Sequence, residues 1–332
     1  MNLNQIKKYV TFYETERKII DKKLKSSLNK RNPFSLYDPA AYILESSGKR
    51  LRPLLVLLSA KAVGGDYKKF YNAALSVEML HNFTLVHDDI MDNADLRRGN
   101  LTLHKKYNLN TAILTGDILA AVAYEFLLKD SKVNAKEALE SFTQGLVEVC
   151  EGQSLDTEFE TRKSVSLSEY ILMIEKKTAA LARTCCELGA YLADGKKEDI
   201  KALSNYGKYL GIAFQIQDDL LDITADKAEF GKRIGGDLLE GKKTYLFIKA
   251  LEKAKGKDKT DFEKVIANKG IKENEIPKYK ALYEKLGVID DARTAIKSYT
   301  KKALTSINKL SNKNELEIFH WLADSLIKRN KY

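Results

Sequence analysis

Eighteen residues, His81 to Arg98, hold an unusual concentration of reactive side chains: His81, Thr84, Asp88, Asp89, Asp92, Arg97 and Arg98. The run closes a segment of helical patterning, and residues three, four and seven apart on a helix share a side. His81, Thr84, Asp88 and Asp92 therefore fall on one stripe, with Asp89 beside it. Carboxylates this close raise each other's pKa, so a fold that keeps them implies cations. Hard oxygen ligands at i and i+4 suit Mg²⁺, which binds through one or two carboxylates plus substrate phosphates. Arg97 and Arg98 follow at once, and guanidinium forks suit phosphate oxygens. Together they point to a site for a metal–diphosphate.

A lone Asp-Asp-x-x-Asp reads equally well as a solvated helix end. A second copy, Asp218, Asp219 and Asp222, weakens that reading. Phe214, Ile216, Leu220 and Leu221 flank it, and acidic groups on a largely buried helix are costly unless paired or metal-bound. Cations recur around the two motifs. Gly48-Lys49-Arg50-Leu51-Arg52-Pro53 sets three of them at the mouth of an apolar helix, where free N–H groups and the dipole attract anions. The alternative there is a charged interhelix turn. Lys177 and Thr178 open a run of small residues, and residues 225–243 read as a glycine-rich loop carrying Lys232 and Lys242 toward phosphates. Polar Gln153 and Asp156 on an otherwise buried helix suggest a cavity wall, or equally a satisfied core amide. His87 reads as a helix-packing residue or a support to its neighbours rather than a general base.

These residues need a scaffold, and composition says it is helical. The chain has 332 residues, 44% hydrophobic and 31% charged, with 18 Gly and only 4 Pro. That is ample for one large core, and abundant Lys, Glu, Leu and Ala favour helix. Amphipathic helices are expected over 3–28, from Asp38 to Gly48, over 54–63, from about Tyr67 through the first Asp motif, and over 111–128, 134–157, 168–193 and 196–223. More follow over 244–254, 259–268, 274–304 and 312–328, with Ser168 capping the one it opens. No useful strand alternation, no repeat and no separating linker stands out. The expectation is an all-α chain, 1–332, forming a single domain.

Net charge is +10, which fits nucleic acid, an anionic surface or an anionic substrate. The cations are interleaved with acids and no nucleic-acid motif is present, so nucleic acid is not the expected partner. The apolar stretch near Leu51–Ala60 is interrupted by Arg52 and Pro53 and is too short to span a membrane. The N-terminus has no apolar signal core, and Cys150, Cys185 and Cys186 form no disulfide framework. A cytoplasmic location is expected.

The ordered set Gly48 to Pro53, His81 to Asp92, Arg97-Arg98-Gly99, Gly152-Gln153, Lys177-Thr178, Phe214 to Asp222 and Gly241 to Thr244 resembles the trans-type isoprenyl diphosphate synthases. The resemblance implies a bundle of long, mostly antiparallel helices around a deep central cavity, and a homodimer. It implies that Lys49, Arg52, His81 and Arg98 hold isopentenyl diphosphate. Asp88, Asp92 and Asp218, with Asp89 and Asp222, would bind three Mg²⁺ ions on the allylic diphosphate, whether dimethylallyl, geranyl or farnesyl. Asp219 would complete the catalytic acidic set. Arg97, Lys177, Thr178, Gln215, Lys232 and Lys242 would contact the allylic substrate. The family reaction ionises that diphosphate, and the cation is attacked by the isopentenyl double bond, held close and aligned. Phe83 and Thr84, just before the first Asp, would set chain length, and the uninterrupted first motif looks like the archaeal short-chain pattern. Geranylgeranyl diphosphate is the expected product, farnesyl diphosphate next. A longer-chain synthase or a terpene cyclase is the alternative. The mixed Asn, Ser and Glu second motif usual in cyclases is absent.

Overall fold

The computed structural model describes residues 2–46, 48–225 and 234–327. In chain order the helices are α1 (Leu3–Ser27), α2 (Phe34–Leu44), α3 (Leu51–Ala62), α4 (Tyr71–Met91), α5 (Leu103–Lys106), α6 (Leu109–Asp130), α7 (Ala135–Thr161), α8 (Leu167–Ile174), α9 (Ala180–Leu192) and α10 (Lys197–Thr224). They continue as α11 (Gly236–Leu239), α12 (Tyr245–Lys253), α13 (Gly256–Asn268), α14 (Ile276–Lys285), α15 (Val288–Ile307) and α16 (Leu316–Ile327). The expected all-α architecture holds. Among the described residues the only extended pairing is a hairpin of β1 (Leu96–Arg97) and β2 (Asn100–Leu101). Its turn residues Arg98 and Gly99 have φ of 53° and 79°, the left-handed pair that a tight two-residue hairpin demands.

Several boundaries differ from expectation. α2 opens at Phe34, directly after Pro33, and holds Pro39 in its interior rather than at its start. α3 begins at Leu51 because Arg50 adopts a left-handed conformation, φ 48°, and stops the preceding chain there. Ser166, not Ser168, caps α8: its side chain accepts from the Glu169 N–H while Glu169 reaches back to the Ser166 N–H. That reciprocal pair satisfies two orphan donors, where Ser168 could satisfy one. The expected helix over 274–304 is broken at Gly287, φ 67°, into α14 and α15.

The expected helix over 168–193 is interrupted by a π turn, Glu175–Ala179. Such turns carry one extra residue and recur at functional sites. Its charged residues are paired, Glu175 with Lys208 at 2.5 Å, Lys176 with Glu151 at 2.5 Å and Lys177 with Asp156 at 2.6 Å. Two glycines press on it. A Cβ on Gly152 would lie 2.2 Å from the Lys177 nitrogen, and one on Gly211 would lie 2.6 Å from the Ala179 Cα.

Contacts gather the chain into two compact units. The first comprises Met1–Leu146, Leu181–Ser204 and Ile307–Trp321; the second comprises Val147–Ala180, Asn205–Ser306 and Leu322–Tyr332. In the first, α6 packs along α4 and buries Ala112, Leu119, Val122, Ala123, Phe126 and Leu127. With a mean hydropathy of 1.6 over its most apolar window, α6 is long and apolar enough to cross a membrane by length and composition. It, rather than Leu51–Ala60, is therefore the candidate that the sequence offers for a span. Ile113, Leu114 and Leu128 lie exposed on its outer side. In the second unit, Tyr170, Ile216, Phe247, Phe262, Tyr283 and Ile296 share one apolar cluster.

Gly211→Ala tests the clamp on the π turn. The added methyl must displace backbone, so stability is expected to fall by roughly 1–3 kcal/mol, read as a lower urea midpoint at unchanged m-value.

Candidate active site

The first acidic motif occupies the last turn of α4, where Asp92 is the C-cap. A helix C-terminus is the negative end of its dipole, so Asp88, Asp89 and Asp92 crowd charge where charge is already unfavourable. The structure relieves Asp89 from within. Its Oδ1 accepts from Arg97 Nε at 2.7 Å, and the residue is 2% exposed. Burial pushes the Asp89 carboxyl up in pKa, and the Arg97 guanidinium opposes that.

A cationic group lies in the same unit. Arg52 Nη1 is 3.1 Å from His81 Nε2. Arginine only donates, so His81 accepts at Nε2 and carries its proton on Nδ1. Burial, followed by Arg52, Arg98, Arg97 and Arg50, holds the His81 imidazole well below its ordinary pKa and hence neutral. Burial likewise lowers Arg52 and Arg98. Gly48 allows close approach: a Cβ there would sit 3.1 Å from Arg98 Nη1 and 3.2 Å from Arg50 Nη1. The Lys49 backbone is tied down by the Tyr13 hydroxyl, which donates to its carbonyl at 2.7 Å. Arg50, the middle cation of the Lys49–Arg52 run, has a different task. It bonds Asp21 at 2.7 Å, Glu78 at 2.6 Å and the carbonyls of Leu44 and Ser46. Both Arg50 and Glu78 are buried. Arg50 is thus a scaffold residue, and nothing in its residue type or spacing separates it from its neighbours.

Phe83 meets the His87 ring edge-on at 4.7 Å. His87 in turn rests on α6, where a Cβ on Gly116 would lie 2.2 Å from its Nε2. The packing reading of His87 fits this contact. The Thr84 hydroxyl donates back to the His81 carbonyl at 2.8 Å.

In the second unit, Asp218, Asp219 and Asp222 occupy the C-terminal turns of α10, again at a negative helix end. Asp219 accepts from the Tyr170 hydroxyl, the Tyr245 N–H and Gln215 Nε2. Asp222 accepts from the N–H groups of Gly236 and Asp237, both at 3.2 Å, at the start of α11. Burial, then the charge of Asp237, raises both carboxyls above the usual range. The Thr178 hydroxyl donates to Gln215 Oε1 at 2.9 Å. Lys242 pairs with Glu240 at 2.8 Å. Lys243, which sequence reasoning passed over, is the more buried of the two and donates to the Glu160 carbonyl at 3.3 Å. Lys232 lies outside the described residues. Tyr170 and Tyr245 were also missed, since a tyrosine within an apolar helix carries no distinguishing pattern.

Among the described residues, no three His, Cys, Asp or Glu side chains gather closely enough to enclose a metal ion. Asp88 and Asp92 lie one turn apart at the end of α4, an oxygen donor pair of the kind Mg²⁺ takes while completing its shell with phosphate and water oxygens. The acids crowded at the negative helix ends fit a cation for the same electrostatic reason.

Residues 34–286 match the polyprenyl synthetase family. The chain belongs to that family. It is 43% identical over 316 residues to the geranylgeranyl pyrophosphate synthase of Geoglobus acetivorans, covering 94% of this chain and 97% of that one. It is 40% identical over 302 residues to the geranylgeranyl diphosphate synthase of Sulfolobus acidocaldarius, covering 89% and 91%. Among solved structures, the geranylgeranyl pyrophosphate synthetase from Pyrococcus horikoshii matches with a TM-score of 0.88 at 36% identity, covering 97% of this chain and 98% of that one. In this polyprenyl synthetase, Arg50 separates scaffold from chemistry. Arg50→Met strands Glu78 buried and unpaired, so a loss of about 3–5 kcal/mol is expected, and Arg50→Met with Glu78→Leu is expected to recover most of it, both read by urea denaturation.

Proposed function

We propose that this chain is a prenyltransferase that condenses isopentenyl diphosphate with dimethylallyl, geranyl and farnesyl diphosphates to make geranylgeranyl diphosphate. Farnesyl diphosphate is the next candidate product. The observation that carries the reading is membership of the polyprenyl synthetase family with both acidic motifs intact. Near-full-length identity to two archaeal geranylgeranyl synthases supports the product.

In this reading Lys49, Arg52, Arg98 and neutral His81 bind the isopentenyl diphosphate oxygens. A guanidinium held beside an uncharged imidazole keeps its full charge for an anion. Arg97, Lys177, Thr178, Gln215, Lys232 and Lys242 orient the allylic diphosphate, and Asp88, Asp92 and Asp218, with Asp89 and Asp222, hold its Mg²⁺ ions. Bound Mg²⁺ supplies charge neutralisation to the departing diphosphate. The chain's own cations would add donors to the same oxygens. Phe83, braced by His87, limits the growing hydrocarbon.

The chain acts as one domain and as a homodimer in this proposal. The exposed Ile113, Leu114 and Leu128 on α6 support a partner copy on that face, since aligned apolar residues on one helix side favour burial. The cysteines form no disulfide, which fits a reducing, cytoplasmic compartment.

The decisive assay is product analysis with labelled isopentenyl diphosphate and each allylic starter, with and without Mg²⁺. Activity is expected to require the metal. Asp88→Ala and Asp218→Ala are each expected to lose about 10²-fold or more in kcat; near-normal turnover in either would contradict the assignment. Phe83→Ala is expected to shift the products to longer chains by chromatography, and an unchanged distribution would remove Phe83 from that role.

A further inference from the structure

Asp219 stands in the middle of the second acidic motif, yet both of its oxygens are held by protein. Oδ2 accepts from the Tyr170 hydroxyl at 2.5 Å and from the Tyr245 N–H at 3.0 Å, and Oδ1 accepts from Gln215 Nε2 at 3.1 Å. Tyr170 is 2% exposed and Asp219 is 6% exposed. An ionised carboxylate can only accept. Gln215 turns its NH₂ toward Asp219 and its carbonyl away. That carbonyl receives the Thr178 hydroxyl at 2.9 Å, and Thr178 stands in the π turn beside Lys177. One buried carboxyl, accepting at both oxygens, thus stands at the head of the relay. Tyr170 and Thr178 donate at its two ends, and Gln215 passes the polarity between them.

We propose that Tyr170 is a positioning residue for the allylic substrate: its hydroxyl fixes Asp219, Asp219 orients the Gln215 amide, and the amide fixes Thr178. In this scheme Asp219 organises protein donors and is not a ligand of the metal. Packing alone does not account for Tyr170, because a phenylalanine would fill the same space in the apolar cluster around it. The hydroxyl matters only through Asp219. The inference rests on the prenyl transfer proposed above.

Tyr170→Phe tests it under steady-state kinetics with both substrates. The KM for the allylic diphosphate is expected to rise about tenfold, the scale of one hydrogen bond to a charged group. The KM for isopentenyl diphosphate is expected to stay within about twofold, since the relay of Tyr170, Asp219, Gln215 and Thr178 includes none of Lys49, Arg52, His81 and Arg98. The Mg²⁺ concentration giving half-maximal activity is expected not to move. Two KM values that change together, or neither changing, would overturn the proposal. Asp219→Asn provides the second measurement if the phenylalanine variant does not fold. The Tyr245 N–H can only donate, so the asparagine oxygen stays with it and the new NH₂ faces that of Gln215, forcing the glutamine over. The same allylic-only rise in KM is expected. A tenfold or larger rise in the Mg²⁺ requirement would instead make Asp219 a metal ligand and overturn the assignment. An unaltered chain that forms no prenyl product would sink the enzymatic reading itself, an outcome distinct from an active wild type with an indifferent Tyr170→Phe.

Discussion

Two long helices, α4 and α10, each end in three carboxylates at the negative pole of the helix dipole. Nothing in either helix favours that arrangement, since charge of one sign is stacked on a partial charge of the same sign. Much of the local structure can be understood as a response to it. In both motifs the middle acid is drawn inward and held by protein: Asp89 is paired with Arg97, and Asp219 accepts from Tyr170, Tyr245 and Gln215. The third acid also has structural work, Asp92 closing α4 as its cap and Asp222 receiving the first amides of α11. The remaining carboxylate charge is what the proposed divalent cations would offset at these ends.

The cationic side obeys a similar division. Arg50 and Glu78 form a buried pair within the first unit, with Asp21 and two carbonyls completing the guanidinium's bonds. A buried pair of this kind adds little net stability on its own. Its effect is to place the left-handed residue that starts α3 and so to aim Arg52 at His81. The imidazole then sits among guanidinium groups in its neutral form, which avoids adding a further positive charge to a site already short of anions.

Periodicity made the long helices legible, because a 3.6-residue apolar pattern survives in any sequence whose helix packs on one side. The acidic motifs were legible for a different reason: their spacing is unusual and occurs twice. What the sequence could not separate was role within a cluster. Arg50 and Arg52 look alike in the chain, and only the folded positions of Glu78 and His81 distinguish them. Tyr170 is invisible for the same reason, as its partner lies 49 residues away. The helix boundaries that moved, at Ser166, Pro33 and Gly287, moved because caps and left-handed residues act at single positions that a pattern averaged over many residues does not resolve.

The π turn at Glu175–Ala179 also changes how the segment around it must be read. An α-helix advances about 100° per residue, and one additional residue absorbed in a wider turn offsets the numbering of everything beyond it by that amount on a helical wheel. The apolar stripe of α8 and that of α9 therefore cannot be joined by one helical wheel, although the chain runs between them without a loop. Such a phase slip lets two successive helical stretches face different neighbours while the backbone stays continuous. The extra residue is absorbed within that one turn, so removing a position between Ile174 and Ala180 would close it to α spacing, and the cost would fall on Lys177 and Thr178, which the bulge sets against Asp156 and Gln215.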